Sequence, residues 1–330
     1  PLPISYYVIA IVVAILVPLG LVMVLSSSSI TQFQAGNSPW RYFQRQLLWA
    51  IAGVPVMWCA ARMSLRVVRA VARMFWLVAM CLMLLPFVPG LGVSVRGARA
   101  WVGLGPIVFQ PSEFLKLAVL LVVADLITRR EHQVGELRPV MIPCLTVIGL
   151  GAGMMIIQND LGSAIVLGSI GMAVMFLGGS PLLPMTGIGL GLSGAAVGFA
   201  LSTPYRRQRW TAFLDLMNSR EGDGYQTWQS ILSISNGGFT GSGVGAGSGK
   251  WGYVPLAHSD FIFAVLAEEL GFVGVFAVLG AYVALAWAGT QVALVSPSRF
   301  GSLVAGGVVR SEEHTSELQS RLHLVCRLLL

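Results

Sequence analysis

The sequence predicts an all-α protein, a polytopic transmembrane helix bundle with one large extracytoplasmic loop. Three observations predict it. Hydrophobic residues make up 55% of the 330 residues and charged residues 11%, where a soluble domain carries about 25% charged residues. Mean hydropathy is +0.78. Apolar runs long enough to cross a bilayer alternate with short arginine-bearing segments, so size here is a property of the spans and not of one water-soluble core. The net charge of +7 would suit a nucleic-acid binder, but arginines in short cytoplasmic loops set membrane orientation and account for it. No nucleic-acid partner is expected. Cys59, Cys81, Cys144 and Cys326 show neither paired nor metal-ligand spacing, and three of them fall in or beside apolar runs, which reads as inert packing.

The first span covers residues 6–25. Its length, with no small-residue cleavage site after it, argues against a signal peptide. A cytoplasmic N-terminal tail is expected to be missing. Residues 26–39, SSSSITQFQAGNSP, carry no charge and read as an outside loop. Span two covers 43–60, and Arg62, Arg66, Arg69 and Arg73 then mark an inside loop. Span three, 74–88, ends at Pro86 and Pro89, and a Gly-rich loop over 90–109 holds Arg96, Arg99 and Trp101. Span four, 112–127, contains Lys116, and Arg129, Arg130 and Arg138 mark the next inside loop. Spans five (140–157) and six (161–178) are joined only by Gln158, Asn159 and Asp160. Irregular backbone of that kind is tolerated at membrane depth only where protein or water satisfies it. Span seven covers 183–202, span eight 259–288, and a ninth begins over 300–309. Together they form one transmembrane domain, residues 1–309.

Residues 203–257 are the one large polar segment, outside by the parity of the spans. Tyr205–Asn236 has helical spacing, with Trp210, Phe213, Leu214 and Met217 on one side, as a helix lying in the interface would. Gly237–Lys250, GGFTGSGVGAGSGK, tempts a phosphate-loop reading. No strand is read before it, and its glycines fit neither the dinucleotide nor the Walker pattern. A mobile lid is the expectation. Composition breaks at Arg310–Leu330, RSEEHTSELQSRLHLVCRLLL, inside an apolar run that should continue as a span. It resembles a translated sequencing adapter, and residues 310–330 are read as a non-native tail outside the fold argument.

Asp260 is the residue around which the chemistry gathers. It lies in PLAHSDFIFAVLAEELG (255–271), at the mouth of span eight. A carboxylate at a membrane span costs free energy unless it has a partner or a task. Lys116 is one turn inside span four, and Glu113, three residues earlier on the same face, would neutralise it. Position alone leaves structure and function equal for that lysine. Asp160 directly precedes span six and reads first as its N-cap, with a cavity role second. Glu268 lies eight residues past Asp260, about 80° around an ideal helix, and Glu269 about 180° around. Both cannot face one cavity, so Glu268 is the site candidate and Glu269 the one to pair with a neighbouring span. His258 reads as a loop hydrogen-bonding residue, since no metal-ligand cluster accompanies it. Arg206, Arg207 and Arg209 follow span seven directly and suit lipid headgroups and pyrophosphate. Trp101 is placed at an interface, where tryptophan is common.

These residues fall in blocks that resemble the SEDS family of bacterial cell-wall polymerases, which includes FtsW and RodA. The blocks are GARAWVGLGPIVFQPSEFLKLAV (97–119), QNDLGSAIVL (158–167), YRRQRWTAFLD (205–215), GYQTWQS (224–230) and KWGYVPLAHSDFIFAVLAEELG (250–271). Order and spacing agree from residue 6 to about 309. The run Lys250-Trp251-Gly252-Tyr253 looks more like the division branch, FtsW, than the elongation branch. Ala100 departs from the family, where a basic or polar residue often precedes the tryptophan. The resemblance implies about ten spans, of which eight are complete here, the ninth is truncated and the tenth is absent.

The resemblance also implies a reaction. Lipid II, a disaccharide-peptide on undecaprenyl pyrophosphate, is polymerised into glycan by inverting transfer. The acceptor 4-hydroxyl attacks the donor anomeric carbon and the lipid pyrophosphate leaves. Such a step needs a base for the hydroxyl and positive charge for the phosphates. Asp260 matches the family's essential aspartate as the base, and Lys116 supplies charge. Trp101, Gln110, Ser112, Glu113, Asp160, Arg206, Arg207, Arg209, His258 and Glu268 are the implied substrate contacts. No cofactor is implied with certainty; a divalent cation, Mg or Mn, is the one candidate. The implied partners are a class B penicillin-binding transpeptidase and other divisome proteins, at the septal inner membrane. Two other functions suit the same features: a lipid II flippase, and a scaffold for the transpeptidase.

Overall fold

The computed structural model describes residues 3–95, 98–105, 107–134, 136–201, 215–217, 219–222, 224–251, 257 and 259–320. Its α-helices among those residues are α1 (Ile4–Gln34), α2 (Arg41–Arg62), α3 (Leu65–Leu82), α4 (Pro111–Arg129), α5 (Ile142–Ile157), α6 (Leu161–Leu177), α7 (Leu182–Leu201), α8 (Tyr225–Gly237), α9 (Ile262–Val295) and α10 (Arg299–Ser320). Each expected span falls on one of them. Among the described residues, Ile4–Gln34, Leu65–Phe87, Arg138–Ile157 and Ile262–Val295 are long and apolar enough on their own to cross a membrane. The protein is a multi-pass membrane protein.

The chain divides into two compact units. One comprises Pro1–Arg62, Val197–Ala288 and Ser316–Leu330, the other Met63–Ala196 and Gly289–Thr315. In the second, α4 is the central element and packs against α3, α5 and α6. Leu115, Val119, Val123, Ala124 and Ile127 of α4 are fully buried against these neighbours. Ile148 and Met155 of α5 and Leu167, Ile170 and Val174 of α6 complete this core. In the first unit a smaller cluster joins Met23, Val265, Leu266 and Val278, with Leu19 and Phe261 against it. The described residues of α2 include none that is buried, and its outward Trp49, Ile51 and Trp58 suit contact with lipid.

Several boundaries differ from expectation. The outside loop expected from residue 26 is helical to Gln34. The serine hydroxyls turn back onto the helix: Ser27 Oγ donates to Met23 O at 2.7 Å and Ser28 Oγ to Val24 O at 2.7 Å. Arg66, Arg69 and Arg73, expected in a loop, ride on the first turns of α3. The loop 90–109 contains a three-stranded antiparallel sheet, β1 (Gly92–Val95), β2 (Ala98–Leu104) and β3 (Ile107–Phe109), in that order. Val93 faces Trp101 and Val102 faces Phe109, the β-branched and aromatic pairing that strands favour. The interfacial helix expected over Tyr205–Asn236 is helical at Tyr225–Gly237, with turns at 215–217 and 219–222. Met217 is exposed in one of those turns. Trp210, Phe213 and Leu214 lie outside the described residues. Of the cysteines, Cys144 is buried as expected, whereas Cys59 and Cys81 face outward from α2 and α3.

Candidate functional site

The start of α4 builds one candidate site, within the second unit. Gln110 is its N-cap and Pro111 occupies the first turn, where a missing N–H costs nothing. Gln110 Nε2 donates to Asp160 Oδ2 at 2.8 Å. Asp160 Oδ1 accepts from Ser163 N at 3.0 Å and so caps α6, the role its position predicts. One carboxylate thus ties the entry of α4 to the entry of α6. Protein groups meet part of the polar joint beside it: Gln158 Nε2 donates to Met83 O at 2.7 Å and Arg99 N donates to Gln158 O at 3.0 Å, while Gln158 Oε1 is buried with no hydrogen-bond partner. Asn159 takes φ +62° to make the turn. Ser112 Oγ is buried in the first turn of α4 with no hydrogen-bond partner.

Lys116 Nζ lies 2.8 Å from Glu113, with the lysine 12% and the glutamate 57% exposed. The neutralising pair expected from the spacing is present. Its lysine end is enclosed and its carboxylate end is open, so the carboxylate is the partner that can be exchanged. Trp101 is half-buried on β2.

A separate candidate site, within the first unit, centres on a break in α9. Gly271 has φ 63° and ψ −164° inside the helix. In an unbroken helix Phe272 N would donate to Glu268 O and Val273 N to Glu269 O. Here the chain after α8 takes all four groups. Ser242 N donates to Glu268 O at 2.9 Å and Gly243 N to Glu269 O at 3.0 Å, while Phe272 N donates to Gly238 O at 3.1 Å and Val273 N to Phe239 O at 3.3 Å. Backbone meets backbone so closely that a Cβ on Gly271 would lie 2.3 Å from Gly241 N, and one on Gly241 would lie 2.2 Å from Glu269 O. The glycine-rich stretch read as a mobile lid is therefore docked on the helix break, and Gly237 and Gly241 serve close approach.

Glu268 reinforces that docking. It is 2% exposed. Its Oε1 accepts from Ser248 N at 2.7 Å and Ser248 Oγ at 2.6 Å, and its Oε2 from Gly249 N at 3.0 Å. Both oxygens are occupied, so Glu268, expected as a substrate contact, anchors the 248–249 segment. Glu269 accepts from Ser26 Oγ of α1 at 2.5 Å, the neighbouring-span pairing that its helical angle predicts. The 3-10 turn Gly249–Trp251 packs on α1, and Lys250 Nζ donates to Gly245 O. Asp260 lies in the turn just before α9 and is exposed. His258, Arg206, Arg207 and Arg209 lie outside the described residues.

Sequence reasoning missed Ser248 and Ser26. Ser248 stood in a run read as flexible, although its place eleven residues after Gly237 offered no signal of a partner. Ser26 opens a run of four serines in an apolar helix, which was a legible sign of polar contact between spans. Among the described residues no group of three or more His, Cys, Asp and Glu gathers to hold a metal ion.

Comparison with known proteins adds lineage. Residues 6–311 match the family described as cell cycle protein, that of FtsW, RodA and SpoVE. Stage V sporulation protein E of Bacillus subtilis (strain 168) is 33% identical over 300 residues, covering 91% of this chain and 82% of its own length. A probable peptidoglycan glycosyltransferase FtsW of Coxiella burnetii is 35% identical over 271 residues, covering 82% of this chain and 73% of its own. Among solved structures, a chain of a peptidoglycan synthase complex coordinating polymerization and crosslinking superposes with TM-score 0.73 at 29% identity, over 95% of this chain and 85% of that one. With nearly its whole length matched, the chain belongs to the FtsW, RodA and SpoVE family and stands toward its FtsW members.

Proposed function

We propose that this protein is a peptidoglycan glycosyltransferase that polymerises lipid II, with Asp260 as general base. One observation carries the reading: Asp260 is an exposed carboxylate in the turn that opens a membrane helix. A headgroup sugar can meet a carboxylate there while its lipid stays in the bilayer. The name of the Coxiella relative supports the reaction class. Asp260 takes the proton of the acceptor 4-hydroxyl as that oxygen attacks the anomeric carbon, and the pyrophosphate departs with the bonding pair. Lys116 offers charge to the phosphates by leaving Glu113, its half-exposed partner. Gln110, Ser112 and Trp101 are the proposed neighbours of the substrate, together with Asp160 and with His258, Arg206, Arg207 and Arg209.

The proposed partner is a class B penicillin-binding transpeptidase at the division septum, along with other divisome proteins. The solved synthase complex supports a polymerase that works beside a crosslinking enzyme. The test is lipid II polymerisation by the purified chain with that transpeptidase, run with Mg, with Mn and with chelator. Asp260→Asn keeps the shape and removes the base, and the expected loss is about 10²- to 10⁴-fold. Near-normal glycan from the Asn variant would make Asp260 structural. Lipid II translocation with no glycan from the wild type would make the protein a flippase, and neither activity would leave the scaffold.

A further inference from the structure

On α3 and α4 the arginines do more than mark orientation. Asp125 is wholly buried in α4. Arg69 Nε donates to its Oδ1 at 2.5 Å, Arg129 Nε lies 2.8 Å from Oδ2, and Arg73 Nη2 lies 3.6 Å from Oδ2. Three guanidinium charges thus meet one carboxylate, leaving two positive charges over. Glu131, the next acid along the chain, is engaged by Arg299. Arg69 and Arg129 both spend Nε on Asp125, so the terminal nitrogens that grip phosphate in a fork are not the ones used. The three side chains are 33%, 57% and 47% exposed for Arg69, Arg73 and Arg129.

The surroundings say what kind of anion fits. Arg66, Arg73 and Leu77 fall within about 40° of one another on an ideal helix, with Leu77 about 6 Å further along the axis than Arg73. Arg66 is exposed. Leu77 is 53% and Met74 64% exposed, in a helix long and apolar enough to span. A charged rim therefore gives way directly to a lipid-facing apolar surface. A free inorganic anion would use only the rim, whereas an amphiphile uses both.

We propose that Arg66, Arg69, Arg73 and Arg129 bind the phosphodiester headgroup of an anionic phospholipid whose acyl chain lies along Met74 and Leu77. Asp125 holds Arg69 and Arg129 in place, and Arg66 and Arg73 are the arms that reach outward. The site is built within one compact unit and is independent of the proposed polymerase reading.

The experiment is native mass spectrometry of the full chain released from detergent with phosphatidylglycerol or with phosphatidylcholine of the same acyl chains. The wild type should retain phosphatidylglycerol at least about tenfold more tightly, because each arginine near an anionic headgroup adds to the attraction. Arg66→Gln with Arg73→Gln leaves the two short contacts to Asp125 intact, so the fold is kept, and it should erase that preference. A charge-matched control, Arg41→Gln with Arg220→Gln, should keep it. Equal retention of the two lipids by the wild type overturns the proposal, as does an undiminished preference in the Arg66/Arg73 variant. Full displacement of phosphatidylglycerol by millimolar inorganic phosphate would assign a soluble-anion site and overturn it as well.

Discussion

Glu268 and Glu269 are adjacent, equally buried and differently employed. Three hydrogen bonds converge on Glu268, and they occupy both its oxygens. Glu269 uses one oxygen, and its Oε2 has no hydrogen-bond partner. An amide in place of Glu268 must turn an NH₂ toward the Ser248 pair or toward Gly249 N–H, so two donors face each other. Glu268→Gln should therefore destabilise by about 1.5–3 kcal/mol, the scale of a hydrogen bond to a charged group. Glu269→Gln can keep its oxygen on Ser26 and should cost less than about 1 kcal/mol. Thermal unfolding in one detergent compares the two, and equal shifts would contradict the anchoring role. At Lys116 the same logic separates charge from shape. Lys116→Arg keeps the charge with a planar fork, so glycan synthesis should fall partway, whereas Lys116→Ala should fall further. Wild-type rates in both variants would remove the lysine from the chemistry.

At the scale of elements, the break in α9 and the loop docked on it form one device. Helical groups freed at Gly271 are taken by residues 238–243, so the segment ahead of Asp260 is tied to a membrane helix through main chain and not only through side chains. This predicts a contrast within one helix. Gly271→Ala meets both a left-handed φ and a clash with Gly241 N, and should cost at least about 1–3 kcal/mol. Gly280→Ala, where nothing lies within 4 Å, should be neutral or stabilise by up to about 1 kcal/mol. Thermal unfolding reads the difference, and polymerisation should follow it. An Ala at 271 that is tolerated as well as one at 280 would show the docking to be dispensable.

For the whole molecule, the expected span count and the arginine-bearing segments predict residues 203–257 outside and the 129–138 segment inside. Val244 is 59% exposed and His132 is exposed in its short 3-10 turn. With Cys59, Cys81, Cys144 and Cys326 replaced by serine, Val244→Cys should react with an impermeant thiol reagent in intact spheroplasts. His132→Cys should react only after lysis. The opposite pattern would invert the protein in the membrane.

Apolar run length determined the helix order by itself, because the need to satisfy backbone polar groups in lipid makes any sufficiently long apolar run helical. Asp160 as a cap, the Glu113–Lys116 pair and the turning of Glu269 toward some neighbouring span were legible for a related reason: each follows from helix geometry over a few residues. Motif blocks alone pointed to the family. Contact between distant parts of the chain decided the rest. Ser26 and Glu269 stand 243 positions apart, and nothing near either residue announces the other. Glycines that look flexible in the sequence are docked because another backbone approaches them, and a stretch that looks like a loop becomes a sheet once Val93 finds Trp101. The arginines of α3 read as topology signals until Asp125, buried 56 residues away, organised them around a single carboxylate.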